Sequence, residues 1–172
     1  MKPENIGFDI RGDVKIFDFG LAKSLHPELK ANDGLYHLTG RAGSLPYMAP
    51  EVAKLENYNE KCDVFSFGIM FWEIVSLKQA FPLLKKRRDF YKKIVVAGSR
   101  PPIPFRKWSP TIQQVMTTSW KALPKDRPSM KDIGTMLRGE LNMMTNNEDM
   151  DLRFQLMATQ SIRSIRLSSQ ET

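Results

Sequence analysis

The stretch best suited to chemistry is Asp18-Phe19-Gly20, which directly follows the apolar run Val14-Lys15-Ile16-Phe17. β-Branched and aromatic residues favour a strand, and a strand would hold the Asp18 carboxylate rigidly at its end. We expect Phe19 to pack into a core and Gly20 to permit a sharp turn where a Cβ would clash. A carboxylate held in this way and facing a triphosphate is a hard-oxygen ligand for Mg²⁺. Because a tripeptide recurs by chance, its meaning depends on the elements around it.

The elements on either side of this triplet predict a β-hairpin and a long loop. Residues 6–10 and 14–17 have the composition of two short strands, and Arg11-Gly12-Asp13 between them is typical of a tight turn. Residues 21–46 show no sustained period and contain several glycines and prolines. A loop of this length in a compact domain is either functional or disordered.

The rest of the chain predicts helices around one very apolar helix. Residues 60–76, with Asn59 as the N-cap, carry apolar side chains on every face, which is typical of a buried helix. Together with the hairpin and the loop, this pattern predicts a mostly helical α+β domain. Further helices are predicted from capping, glycine or proline signals over 50–55, over 87–97 before Gly98, from Ser109-Pro110, and from Ser129 with Asp132.

Composition and charge describe an ordinary globular domain. The chain has 172 residues, of which 41% are hydrophobic and 26% charged, and this length allows one domain with a real core. The net charge of +7 would suit an acidic partner, nucleic acid or anionic lipid. No aromatic residues interleave with the basic ones, so we favour a solvated basic surface and expect no nucleic-acid partner.

Cysteine usage and hydropathy indicate the compartment. Cys62 is the only cysteine, which excludes an intramolecular disulfide and a cysteine-based zinc site, and its apolar neighbours predict a buried thiol. The first residues have no apolar segment, and the most apolar stretch, 64–77, is interrupted by polar residues and too short to span a bilayer. We therefore expect an intracellular, cytoplasmic protein with no membrane partner.

Five motifs in order identify a family resemblance. The sequence is similar to the C-terminal lobe of a eukaryotic-type protein kinase, of the serine/threonine, tyrosine-kinase-like group. The resemblance covers residues 1–138, the predicted kinase domain, and leaves 139–172 as a tail with one marginal helix near 151–159 followed by disorder. The motifs are Lys2-Pro3-Glu4-Asn5, Asp18-Phe19-Gly20, Ala49-Pro50-Glu51, Asp63-Val64-Phe65-Ser66-Phe67-Gly68 and Asp126-Arg127-Pro128-Ser129.

The resemblance implies ATP and Mg²⁺ as cofactors, a protein as the substrate, and three catalytic and cofactor-binding residues. Asp18 would hold the Mg²⁺ that bridges the phosphates, and Asn5 would hold a second metal position through its amide oxygen. Lys2 would place its ammonium near the transferred phosphoryl group. Lys2 also stands where tyrosine kinases have an Ala-Arg pattern, which implies serine/threonine specificity.

The resemblance assigns other residues to the activation segment and to the scaffold. The Ser44 hydroxyl would tie the loop that receives the substrate to the catalytic aspartate and lysine. Thr39 and Ser44 are candidate phosphorylation sites that would order the segment by pairing with arginine, although Thr39 is equally typical of a solvated loop. Glu51 and Arg127 would form a buried bidentate ion pair, and Asp63 would accept hydrogen bonds from backbone amides of the catalytic loop.

Several parts of the family pattern are not among the 172 residues. The catalytic aspartate would stand immediately before Met1, and no Gly-x-Gly-x-x-Gly occurs. We therefore expect the sequence to start inside a kinase domain and the polypeptide alone to be inactive. We also expect an apolar face to be partly uncovered on the central helix, around Phe67, Met70, Phe71 and Ile74.

Two alternative interpretations remain. A kinase-derived module without catalysis would dock protein partners through residues 87–97 and the loop to Trp108, although the retained Lys2, Asn5 and Asp18 argue against it. The run Lys85-Lys86-Arg87-Arg88 is a candidate nuclear-import or phosphopeptide-docking patch, but a solvated basic helix start is the simpler interpretation.

Overall fold

The fold begins with a small hairpin that sets up the candidate site. The structure is a computed structural model that describes residues 1–40, 43–104 and 107–145. Strands β1 (Ile6–Phe8) and β2 (Val14–Ile16) pair antiparallel, with Ile6 opposite Ile16. The hairpin is as predicted, with strands shorter by one or two residues.

A carboxylate closes the hairpin turn. Asp9 Oδ1 accepts hydrogen bonds from the amides of Arg11 at 2.8 Å and Asp13 at 3.0 Å. These bonds, above all the one from Arg11, hold the pKa of Asp9 below its ordinary value. Gly12 takes a φ of +85°, a conformation that costs glycine little, which explains a glycine at this position.

Helices make up most of the remaining described residues, and their order matches the predicted pattern. Single turns of 3₁₀ helix precede the hairpin, lie within the loop, end the loop and precede the last helix. The α-helices are α1 (Pro50–Lys54), α2 (Lys61–Ser76), α3 (Arg87–Phe90), α4 (Pro110–Ser119) and α5 (Met130–Thr145). The 3₁₀ turns are Pro3–Asn5, Pro27–Leu29, Leu45–Tyr47 and Pro124–Asp126.

Helix α2 is the centre of the core. Asn59 Oδ1 accepts a hydrogen bond from the Lys61 amide at 3.1 Å, so Asn59 caps the helix from one residue further out than predicted. Phe65 and Ile69 are fully buried, and each such side chain contributes about 1.5–3 kcal/mol by leaving water. The full set of buried residues on this helix is Val64, Phe65, Ser66, Gly68, Ile69, Met70 and Trp72.

One side of α2 is less covered than the rest, as predicted. Ile74 is 55% exposed, and Phe67 and Phe71 are half-buried and stack on each other with ring centroids 5.5 Å apart. The prediction was wrong for Met70, which is only 5% exposed because it faces the main apolar cluster.

Helices α4 and α5 begin at the residues that the sequence indicated. Helix α4 begins at Pro110, directly after its N-cap Ser109. Ser109 Oγ accepts a hydrogen bond from the Ile112 amide at 3.3 Å, and this bond caps the helix. Ser129 and Asp132 form the predicted capping box, in which the Ser129 amide bonds Asp132 Oδ2 at 3.0 Å and the Asp132 amide bonds Ser129 Oγ at 3.1 Å.

The segment over 87–97 is helical, but not uniformly α-helical. Helix α3 continues directly into a π-helical stretch, Tyr91–Val96, and Gly98 follows with a φ of +63°. Phe90 and Ile94 are each 1% exposed and anchor this segment on the core.

Helix α5 runs to Thr145, past the position where the composition changes. The helix predicted near 151–159 and the disorder predicted after it lie outside the described residues. Within the described ranges, no helix has the length and apolar character needed to cross a bilayer.

Candidate active site

The hairpin brings together Asn5 and Asp18, two residues that the sequence predicted to share a site. Asn5 Nδ2 lies 3.5 Å from Asp18 Oδ2 and donates a hydrogen bond to it. The Asn5 carbonyl accepts from the Phe17 amide at 2.9 Å, which extends the strand pairing by one position. Residues thirteen positions apart are therefore neighbours because β1 and β2 pair in this register.

The chain turns sharply at Asp18 itself. Asp18 has a φ of +61°, in the left-handed region that a non-glycine residue occupies at a cost of about 1–3 kcal/mol. Its Oδ1 accepts from the Gly20 amide at 3.3 Å, and such local bonds are how aspartate tolerates this conformation. Gly20 lies in the predicted turn, which a bond from the Ala22 amide to the Phe19 carbonyl closes at 2.9 Å, and a Cβ there would lie 3.2 Å from Asp18 Oδ1.

The site is open to solvent, and the prediction that Phe19 packs into a core was wrong. Phe19 is 69% exposed, and the strand residues Phe8 and Val14 are 67% and 61% exposed. A two-stranded sheet buries a side chain only where another element covers it, and no described element covers these faces. The Asp18 carboxylate is consequently accessible.

Lys2 lies on the same turn as Asn5. Its carbonyl accepts a hydrogen bond from the Asn5 amide at 3.1 Å, and its own backbone is extended. In the described part of the chain the Lys2 ammonium forms no ion pair with Asp18. The structure therefore brings Asn5 and Asp18 into contact and leaves Lys2 adjacent to them.

Two oxygen-bearing side chains at this distance fit a Mg²⁺ ion that also binds phosphate. Mg²⁺ is usually held by one or two protein oxygens, with water and substrate phosphates completing the coordination. Asp18 offers its carboxylate, and Asn5 offers an amide oxygen once its amide group turns over. Among the described residues there is no group of three histidine, cysteine or acidic side chains that would hold a metal without such help.

The activation-segment candidates lie in an exposed loop. Thr39 is exposed, and its carbonyl accepts from the Tyr58 hydroxyl at 2.8 Å, next to a bridge between Tyr36 and Tyr58. Ser44 is half-buried before the 3₁₀ turn Leu45–Tyr47. Within the described ranges its hydroxyl bonds neither Lys2 nor Asp18, so the predicted tie from Ser44 to the catalytic lysine is not formed. The C-terminal end of the loop is held instead by Tyr47, in the 3₁₀ turn that follows Ser44.

That end is fixed by Tyr47 and Glu73, a pair that the sequence interpretation missed. The Tyr47 hydroxyl donates to Glu73 Oε2 at 2.7 Å, and the Ala80 amide donates to Glu73 Oε1 at 2.8 Å. Burial and the Glu73 carboxylate raise the pKa of the Tyr47 phenol, so it stays protonated and donating. The Ser66 hydroxyl also donates to the Tyr47 carbonyl at 2.8 Å. The available signal was Glu73, the one carboxylate beyond the first turn of the very apolar α2.

Glu51 and Arg127 form a bidentate ion pair across the core. Arg127 donates from its two terminal nitrogens to the two Glu51 carboxylate oxygens at 2.6 and 2.8 Å, and the residues are 2% and 3% exposed. The same guanidinium also donates to the carbonyls of Lys61, Lys121 and Ala122, which leaves it fully bonded. The pair joins the end of the loop to the segment before α5.

Asp63 differs from the prediction. Its carboxylate lies 3.3 Å from the Met1 amino group, with a side chain 57% exposed, and in the described residues it bonds no backbone amide. Asp63 therefore links the start of the chain to the first turn of α2.

Comparisons with known proteins assign this arrangement to a family. A sequence model described as protein tyrosine and serine/threonine kinase matches residues 3–137. The human mitogen-activated protein kinase kinase kinase 7 is 37% identical over 134 residues, which cover 77% of this chain and 20% of the relative. The dual specificity protein kinase shkC of Dictyostelium discoideum is 36% identical over 135 residues, 77% of this chain and 25% of the relative.

The match spans the elements that position Asn5 and Asp18. It includes the hairpin, the loop, the Glu51–Arg127 pair and α2, while the chain spans about a fifth of the length of the curated relatives just named. Kinases of this family generally use ATP and Mg²⁺ and act on protein substrates. The chain belongs to the protein tyrosine and serine/threonine kinase family.

Proposed function

We propose that this chain supplies the metal-holding part of the active site of a protein serine/threonine kinase. The observation that carries the proposal is the 3.5 Å contact between Asn5 and Asp18 across the hairpin. Bound Mg²⁺ would neutralise charge on the γ-phosphate of ATP. Asp18 and Asn5 would hold the metal, and Lys2, on the adjoining turn, would place an ammonium beside the phosphoryl group that moves to a serine or threonine hydroxyl.

The residues around the site would position the substrate. Tyr47, held by Glu73, fixes the end of the loop that would receive the protein substrate, and Thr39 is exposed and accessible to a modifying kinase. Phosphorylation at Thr39 or Ser44 would add charge that orders the loop by pairing with arginine. Use of ATP on a protein substrate would place the protein inside the cell, in the cytoplasm.

For the 172-residue polypeptide alone we propose metal and nucleotide binding without phosphoryl transfer. The family's catalytic aspartate and glycine-rich loop are not among these residues. A mitogen-activated protein kinase kinase, the substrate class implied by the name of the human relative, is the substrate to use in the assay. Phosphorylation of it by the purified polypeptide that Asp18→Ala abolishes would overturn this part of the proposal.

The metal site is tested by titrating Mn²⁺ and ATP into isotopically labelled protein and following the broadening of amide signals near the hairpin. We expect broadening centred on Asp18, and apparent affinity weaker by about tenfold or more in Asp18→Asn. Asp13→Asn is the matched control, because it removes an exposed carboxylate at the opposite end of the same hairpin. Equal affinity in the two variants would contradict the site and favour a module that binds partners without catalysis.

A further inference from the structure

A basic cleft between α1 and the segment 87–96 takes no part in the proposed metal site. The cleft has a volume of about 470 Å³, and residues of both elements line it. Concave sites with apolar walls and a few convergent polar groups are where proteins usually bind ligands. The lining residues are Ala53, Arg87, Arg88, Phe90, Tyr91 and Lys92.

The mouth of the cleft is positively charged, and its basic side chains form no ion pair within the described residues. Residues 85–93 contain six lysines and arginines and one acid, Asp89. Arg87, Arg88 and Lys92 are exposed, and within the described chain they form no ion pair and their side chains donate no hydrogen bond. Arg127, by contrast, donates all five of its N–H groups to the Glu51 carboxylate and to three backbone carbonyls. Two adjacent free guanidinium groups at a concave site are suited to carboxylates, which they bind through paired N–H groups.

The walls of the cleft are apolar. Ala53 and Phe90 are 6% and 1% exposed, and Tyr91 presents a ring that is 41% exposed. An aliphatic side chain that packs on the Tyr91 ring would be partly removed from water. A nucleic-acid backbone has no aliphatic group to place there, so the combination of apolar wall and cationic mouth favours a peptide.

The backbone beside the cleft is unusual as well. Tyr91 and Lys92 begin the π-helical stretch Tyr91–Val96, which ends with bonds from the amides of Ala97 and Ser99 to the carbonyls of Lys92 and Lys93. π-Helical turns within helices are rare and occur frequently at functional sites. This observation is independent of the charge pattern and points to the same surface.

We propose that this cleft docks an acidic peptide segment of a protein partner. One apolar side chain of the segment would lie on the exposed ring of Tyr91, and the carboxylates on either side of it would pair with Arg87 and Arg88. The proposal concerns binding alone and is tested without nucleotide, so its failure is separate from failure of the kinase proposal.

The test measures the affinity of the full 172-residue chain for a fluorescent peptide in which a leucine is flanked on both sides by glutamates. We expect saturable binding that the double variant Arg87→Glu, Arg88→Glu weakens by about tenfold, from the loss of two partly exposed charge pairs. The matched control Lys121→Glu, Lys125→Glu makes the same charge change at exposed positions outside the cleft and should leave the affinity unchanged. Circular dichroism and a thermal melt establish that the variants are folded.

Further binding measurements distinguish the peptide from other anionic ligands. Replacing the leucine of the probe by serine, or Tyr91 by alanine, should weaken binding, whereas Tyr91→Phe should not. The proposal is overturned if both double variants bind the peptide equally, or if the leucine and Tyr91 make no difference. It is also overturned if single-stranded DNA or vesicles of phosphatidylserine, and not the peptide, bind in a way that depends on Arg87 and Arg88.

Discussion

The hairpin that carries Asp18 and the helical core that carries Arg127 are held in opposite ways. Around Asp18 the side chains are exposed, and position is set by short-range backbone bonds such as the one from the Phe17 amide to Asn5. Around Arg127 the guanidinium is buried, and it donates to the buried Glu51 carboxylate, 76 positions away, and to three backbone carbonyls. The difference indicates that the hairpin serves ligand binding and the core serves stability. Substitutions in the hairpin should therefore alter binding, and substitutions in the core should alter the free energy of unfolding.

The largest effect is expected from removing the buried guanidinium. Arg127→Ala should lower the free energy of unfolding by about 3–5 kcal/mol, because it leaves the Glu51 carboxylate buried and without its partner. Urea denaturation followed by tryptophan fluorescence measures the change. The control is Glu56→Gln, which breaks an exposed ion pair with Lys54 at 3.6 Å and should cost less than about 1 kcal/mol. Equal costs would show that burial of the Glu51–Arg127 pair does not matter.

The second effect concerns the close contact between α2 and α4. A Cβ on Gly68 would lie 2.8 Å from the Ser119 Cβ, so Gly68→Ala should destabilise the fold by about 1–3 kcal/mol through overpacking. Gly139→Ala has the opposite expectation, because a Cβ added to Gly139 on α5 would meet nothing within 4 Å and alanine favours a helix by about 0.5–1 kcal/mol. Thermal melts of both variants show whether each substitution raises or lowers the stability of the fold. An increase in the stability of Gly68→Ala would contradict the observed packing.

The third effect is visible only at alkaline pH. Burial, and then the neighbouring Asp63 and Glu51 carboxylates, raise the pKa of the Cys62 thiol from 9.0 to about 12. A group whose folded pKa is raised supports the fold below its unfolded pKa and loses that support as the pH rises toward the folded value. The difference in stability between the wild-type chain and Cys62→Ala should therefore shrink between pH 9 and pH 12. The buried Tyr47 phenol is present in both proteins, so its contribution cancels in the difference between their stabilities. A stability difference that does not change with pH would contradict the raised pKa of Cys62.

The smallest effect is expected in the hairpin. Val14 is 61% exposed, so Val14→Thr should change the free energy of unfolding by no more than about 0.5 kcal/mol. The same substitution at the fully buried Val115 introduces a hydroxyl without a partner and should cost about 1–3 kcal/mol. Denaturant midpoints for the two variants test the contrast between the regions, and a large cost at Val14 would show that the hairpin is part of the core.

Local signals were reliable wherever a residue acts on its near neighbours in the chain. The caps at Asn59, Ser109 and Ser129, and the hairpin turn around Gly12, lie at or within one residue of their predicted places. These features depend on hydrogen bonds over a few residues, which residue type and spacing specify directly. The order of motifs was also sufficient to predict the family to which the chain belongs.

Predictions of burial and of distant contacts were less successful. Phe19 was expected in a core and is exposed, Met70 was expected to be uncovered and is buried, and Asp63 bonds the Met1 amine. Each outcome depends on which other element lies nearby. The Tyr47–Glu73 bond joins residues 26 positions apart, and the sequence pattern around either residue does not predict its partner.

The sequence by itself determined the family, the order of the helices and the positions of their caps. The family resemblance also placed the Asn5 amide and the Asp18 carboxylate in one site, and the pairing of β1 with β2 brings the two side chains together. The tertiary structure alone decided the left-handed backbone of Asp18, the exposure of its surroundings, and the cleft beside Arg87 and Arg88. The physical reason is that burial and shape arise when elements distant in sequence pack together, and residue spacing does not encode which surfaces that packing leaves open.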